Sequence, residues 1–92
     1  MTTKTVLFED RVAGNVVSFD QDGKRLVGYR IGREFWGQGL ATLALAELIK
    51  ELPQRPLHAY VATTNAGSVR VLEKCGFVLA EEDVELLLYE LT

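Results

Sequence analysis

The chain has one cysteine, one histidine and two prolines among its 92 residues. A lone Cys75 excludes an internal disulfide and a multi-thiolate metal site. A lone His58 removes the usual imidazole metal site as well, so no metal is expected. No apolar run approaches the ~20 residues that a membrane span needs. The densest stretch, Leu40 to Leu52, is interrupted by Glu47, Lys50 and Glu51. The N-terminus, Met-Thr-Thr-Lys-Thr, lacks the apolar centre of a secretory leader, so a cytoplasmic protein is expected. Excess positive charge is also missing. Ten basic and 13 acidic residues leave a net charge of −3 and a pI near 5.1, which argues against a nucleic-acid or anionic-membrane binder.

What is present is ordinary in amount: 48% hydrophobic and 25% charged residues, in a length that fits one domain over 1–92. The charge is unevenly placed. Residues 57–92 carry Arg70 and Lys74 against Glu73, Glu81, Glu82, Asp83, Glu85 and Glu90, whereas the rest of the chain is nearly balanced. Glu81-Glu82-Asp83 reads as a solvated turn.

Thr5 to Glu9, Val12 to Phe19 and Leu26 to Ile31 are three β-prone runs, and Gln21-Asp22-Gly23-Lys24 marks a tight hairpin between the last two. From Leu40 the spacing changes. Leu40, Ala41, Leu43, Ala44, Leu45, Leu48, Ile49 and Leu52 follow helical periodicity, and Pro53 and Pro56 end the run. Leu57 to Thr63 reads as a strand covered on both faces. Asn65 is a good helix N-cap, with Ser68 at its N3 position. Val69, Val71 and Leu72 form the buried side of that helix, and Gly76 stops it. Phe77–Ala80 and Val84–Leu91 are the last strands. The expected order is β-β-β-α-β-α-β-β, an α/β fold of the α+β kind.

Between the third strand and the first helix lies Trp36-Gly37-Gln38-Gly39-Leu40-Ala41-Thr42. Two glycines one residue apart bring backbone N–H groups close to a ligand, and the helix that follows adds its unpaired N–H groups and the positive end of its dipole. A pyrophosphate suits such a cradle, with Arg30, Arg33, Arg70 or Lys74 as countercharge. Thr42 stands where a dinucleotide fingerprint needs its third glycine, and no Gly-Lys-Ser/Thr follows as in a Walker loop. A plain strand-to-helix turn is the competing reading of the glycine pair alone.

One helix and one strand later comes Asn65-Ala66-Gly67-Ser68-Val69-Arg70-Val71-Leu72-Glu73-Lys74-Cys75-Gly76-Phe77. Together with Phe35-Trp36-Gly37-Gln38-Gly39-Leu40-Ala41-Thr42, this resembles the GNAT superfamily of acetyl-CoA-dependent N-acetyltransferases over residues 5–92, and within it the ribosomal-protein N-terminal acetyltransferases. The resemblance implies a mixed, mostly antiparallel sheet with two strands splayed at the cofactor site. Backbone amides of Gly37, Gln38, Gly39, Leu40, Ala41 and Thr42 would hold the coenzyme A pyrophosphate. The pantetheine arm would lie between Leu26–Ile31 and Leu57–Thr63. A backbone N–H near Ile31 would polarise the thioester carbonyl. Asn65 would bond the pantetheine, with Ser68 beside it, and Lys74 would approach the 3′-phosphate.

Departures from the family pattern shape the functional expectation. Glu34 stands where the loop motif often opens with Gln or Arg. Leu72 stands where many members place a Tyr that protonates the leaving thiolate. His58, Glu34, Tyr29 and Tyr60 are weak candidates for a base, and no catalytic residue is assigned. Cys75 reads as a packing residue. The family's first strand and two helices have no counterpart, which suggests a minimal or truncated form. Thr5–Phe8 would then be an open edge and one sheet face would be bare, so self-association as a homodimer is expected. The reading is an N-acetyltransferase moving acetyl from acetyl-CoA to a primary amine (a protein N-terminus, a lysine or a small molecule). The alternative is a non-catalytic acyl-CoA-binding or interaction module.

Overall fold

A computed structural model describes all of residues 1–92. Three strands come first: β1 (Thr2–Phe8), β2 (Arg11–Gln21) and β3 (Lys24–Ile31). They form an antiparallel meander in which Gly14 faces Ile31 and Gln21 faces Lys24. Asp22 and Gly23 both have positive φ, which matches the right-handed twist of the strands they join. A single 3-10 turn (Arg33–Phe35) leads to α1 (Leu40–Glu51), then β4 (Leu57–Ala62), α2 (Ala66–Lys74), β5 (Val78–Glu82) and β6 (Leu86–Leu91). The six strands make one sheet in the order β1-β2-β3-β4-β6-β5. Only β3 and β4 are parallel.

Strand alternation separates the two sheet faces. Val16, Val27, Leu57, Ala59, Val61 and Tyr89 share one face by register. Leu45, Leu48 and Leu52 of α1 and Leu72 of α2 pack against these side chains in a single core. Both helices therefore cover the same face. The opposite face presents Val17, Phe19, Leu26, Tyr60, Leu86 and Leu88 by the same register, and neither helix reaches it. Leu26 and Leu88 are buried there, while Tyr60 and Leu86 are about half exposed.

Two sequence-based expectations change. β4 is covered on both faces only over Leu57–Ala59; beyond that Tyr60 and Ala62 are exposed, because β3 has diverged and no helix lies behind them. The acidic segment is not all turn. Glu81 and Glu82 extend β5 and pair with Leu88 and Leu87, leaving Asp83 to cap the turn through Val84 N–H. β5 is exposed along its whole length, so acidic side chains there meet no desolvation penalty. With β1 at the other edge, both sheet edges are open to solvent.

Candidate functional site: a cleft between diverging strands

β3 and β4 pair only at their starts, Arg25 opposite Leu57 and Leu26 opposite His58. Past that point the ladder ends, although both strands continue. The N–H of Gly32 bonds the carbonyl of Ala13 at 2.7 Å, in line with the β2–β3 register. Hydrogen-bonded and outward-facing pairs alternate in an antiparallel ladder. Tyr29 and Ile31 are therefore outward pairs, and their N–H and C=O groups point away from β2 into the gap. Trp36 Nε1 donates to the Ile31 carbonyl at 2.8 Å, which leaves the Ile31 N–H open.

The gap contains a half-open inner chamber of about 250 Å³ whose apolar walls include Val27, Leu45, Ala59, Val61 and Leu72, and which the exposed Tyr60 and Ala62 also line. It adjoins an outer cleft of about 630 Å³ that runs along the glycine loop and the N-terminal turns of both helices. Ile31, Gly37, Gly39, Leu40, Ala41, Thr42, Asn65 and Ser68 all line this outer cleft. Gln38 does not; its side chain is exposed at the crown of the loop.

The cradle follows from local backbone chemistry. Gly37 and Gly39 have φ of +82° and +73°, a region that side chains other than glycine rarely adopt. Gly39 is the N-cap of α1 and offers no side chain to cap it. The first internal bond of that turn runs from Leu43 N–H to the Gly39 carbonyl. The N–H groups of Gly37 through Thr42 have no acceptor within the protein. Six successive unpaired donors thus gather at the positive end of a 12-residue helix, the arrangement that suits an anion.

Side-chain charge agrees. Arg30, Arg70 and Lys74 line the outer cleft, no Asp or Glu does, and none of the three cations has a carboxylate within salt-bridge distance. A chain of net negative charge thus gathers three unneutralised cations at one opening. Arg33 is not among them: its guanidinium lies over the Trp36 ring, 5.5 Å from the centroid. Glu34, the residue that departs from the loop pattern, pairs with Arg11 and takes no part in the cleft.

On the α2 side, Asn65 Oδ1 accepts the Ser68 N–H at 3.1 Å, as an N-cap should. The Ser68 hydroxyl is left for Tyr29, whose Oη lies 2.8 Å away across the gap. Cys75 Sγ contacts the Thr42 carbonyl at 3.6 Å, and burial pushes its thiol up from the usual range, so it stays protonated and packs the two helices together. His58 is buried at the closed end of the gap, with Nε2 3.0 Å from Glu90 Oε2. It belongs to the uncovered sheet face and does not line either cavity. Sequence reasoning missed Trp36 as the residue that ties β3 to the loop, and Tyr29 as a contact of α2. An indole beside a glycine pair is the one signal that pointed to the first.

Residues 5–78 match the family model of the acetyltransferase (GNAT) domain. No curated protein sequence matches the chain. Solved structures do. An acetyltransferase of the GNAT family from Bacillus anthracis superposes with a TM-score of 0.80 at 19% identity, over 90% of this chain and 60% of that one. The Campylobacter jejuni N-acetyltransferase PseH, in complex with acetyl coenzyme A, gives 0.77 at 18%, over 94% and 63%. The yncA protein of Salmonella typhimurium with its cofactor acetyl-CoA gives 0.76 at 19%, over 88% and 58%. The chain thus spans less than two thirds of each of these structures.

Proposed function

The chain belongs to the GNAT acetyltransferase family, and on that premise we propose that it holds acetyl-CoA in this cleft and carries the acetyl group to an amine. The run of six acceptor-less amides from Gly37 to Thr42 is the observation that supports the reading most strongly. A pyrophosphate offers charge and acceptors to these donors, and Arg30, Arg70 and Lys74 supply countercharge for it and for a 3′-phosphate. The diverging strands leave an apolar slot of the right kind for a pantetheine arm, with outward backbone groups on Tyr29 and Ile31 to meet its amides. The Ile31 N–H is the donor for a developing thioester oxyanion. Asn65 lines both cavities, and its side-chain nitrogen has no protein partner.

In the reaction so read, a neutral amine attacks the thioester carbon, the C–S bond breaks and the sulfur takes a proton. The acceptor is a protein N-terminus, a lysine or a small amine. Release of free thiol from acetyl-CoA, measured over a panel of such amines, tests this reading: amine-dependent turnover supports it, and none with any amine contradicts it. A second reading, an acyl-CoA-binding module without turnover, is favoured by one observation. The inner chamber is lined by no carboxylate and no imidazole, and Leu72 fills the position where many relatives place a Tyr.

For partners, the proposal includes a homodimer through the uncovered sheet face, where Val17, Phe19, Tyr60 and Leu86 meet solvent without a covering helix. Sedimentation at rising protein concentration should show a dimer, and Phe19→Glu should shift it to monomer.

A further inference from the structure

Trp36 is the chain's only tryptophan, and it is 62% exposed. It belongs to neither cluster of packed apolar side chains. Burial therefore does not account for its place, but a polar contact does. The turn at Arg33–Phe35 folds the chain back, with the Phe35 N–H on the Gly32 carbonyl at 2.9 Å and the Trp36 backbone N–H on the Arg33 carbonyl at 3.1 Å. The indole thereby returns to the end of β3, and its N–H meets the Ile31 carbonyl at 2.8 Å. The Arg33 guanidinium lies over the same ring. In an extended residue the N–H and the C=O leave the strand on the same side. At Ile31 both point into the gap, so an uncovered carbonyl would set its partial negative charge beside the Ile31 N–H. The indole N–H takes that carbonyl. The peptide between Ile31 and Gly32 is then held at both edges, by Trp36 on one side and by the Ala13 carbonyl on the other.

We propose that Trp36 is a positioning residue for the thioester: by occupying the Ile31 carbonyl, its indole N–H leaves the Ile31 N–H as the one group that residue offers to the acyl carbonyl. The inference rests on the acyl-CoA reading above, in which that N–H meets the developing oxyanion, and adds the side chain that prepares it. The physical basis is preorganisation. A donor aimed at an oxyanion helps most where opposing dipoles nearby are already satisfied and need no rearrangement as charge develops. Removing the indole N–H frees a carbonyl oxygen that repels the oxyanion. The effect falls on the reacting carbonyl and not on the nucleotide, because the amides that suit a pyrophosphate run from Gly37 to Thr42 and the indole N–H is not one of them.

Two replacements test this: Trp36→Phe, and benzothienylalanine at position 36, which keeps a bicyclic ring over Arg33 and lacks the N–H. With one tryptophan in the chain, the analogue enters at this position alone. The readout is the infrared carbonyl stretch of bound acetyl-CoA, isotope-labelled at that carbonyl, with calorimetric titration by coenzyme A to follow the cradle separately. Binding to the wild-type chain should lower the stretching frequency. In both replacements the lowering should shrink while the affinity for coenzyme A is unchanged. With an amine that turns over, kcat should fall about three- to tenfold, the worth of one net hydrogen bond, at unchanged KM for acetyl-CoA. An undiminished frequency shift in the benzothienyl protein overturns the proposal. So does an equal loss of affinity for coenzyme A and acetyl-CoA, which would make Trp36 a part of the loop's framework only. A wild-type chain that binds acetyl-CoA without lowering the stretch overturns it as well and leaves the cradle standing. Failure of the wild-type chain to bind either ligand overturns the acyl-CoA reading itself, and this inference with it.

Discussion

Gly14→Val should lower the melting temperature by about 12–24 °C and abolish ligand binding. Gly14 lies on β2 directly opposite Ile31. A Cβ built on it would fall 1.9 Å from the Arg30 carbonyl oxygen and 2.9 Å from the Ile31 Cα, both of them backbone atoms that cannot rotate aside. The substitution must push β2 away from β3 at the residue whose outward N–H faces the cleft. A backbone displacement in the middle of a ladder is expected to remove about 3 kcal/mol or more, and each kcal/mol is ~4–8 °C for a domain this small. Gly14→Ala should show the same direction, since the clash is already complete at Cβ. Gly28→Ala is the contrast. Its added Cβ would meet Val17 Cγ2 at 3.6 Å, an ordinary contact, so its effect should stay within about 1 kcal/mol. Thermal unfolding of the three variants checks this. Equal stability for Gly14→Ala and Gly28→Ala would show that β2 and β3 do not approach as described.

Gly39→Glu should cut affinity for acetyl-CoA at least 100-fold, equivalent to about 2.7 kcal/mol. Two effects contribute and can be separated. A φ of +73° strains any L-residue by about 1–2 kcal/mol, which Gly39→Ala shares. The Cβ direction at Gly39 is open, with nothing within 4 Å, so the strain is not compounded by a clash and the chain should still fold. Glutamate adds a carboxylate beside the amide donors that the ligand needs. The excess loss of affinity in Gly39→Glu over Gly39→Ala therefore reports the anion cradle itself. Similar losses in both would assign the effect to helix geometry rather than to charge.

Much of the architecture was legible because the relevant forces are local. Leu45, Leu48, Leu52 and Leu72 recur at helical spacing and do face the core. Asp22-Gly23 makes the turn its residue types demand. Asn65 caps α2 through Ser68 N–H. The glycine loop was equally readable, since Gly37 and Gly39 stand where positive φ is needed. Long-range features were not. Gly14 looks like a weak point in a strand until Arg30 and Ile31 are seen against it. Tyr29 and Ser68 are 39 residues apart, and no pattern in the chain links their hydroxyls. The divergence of β3 from β4 came from family resemblance alone, because nothing in Leu26–Ile31 or Leu57–Ala62 marks where their pairing stops. Glu81 and Glu82 read as turn because their charge is solvated, yet an edge strand solvates charge equally well.

The account depends most on the cradle between Gly37 and Thr42 being a working anion site next to a slot for an acyl-bearing arm. Calorimetric titration of the wild-type chain with acetyl-CoA tests that directly. The account predicts one saturable site per chain with micromolar affinity, accompanied by a change in Trp36 fluorescence. No heat of binding and no fluorescence change at millimolar acetyl-CoA would contradict it.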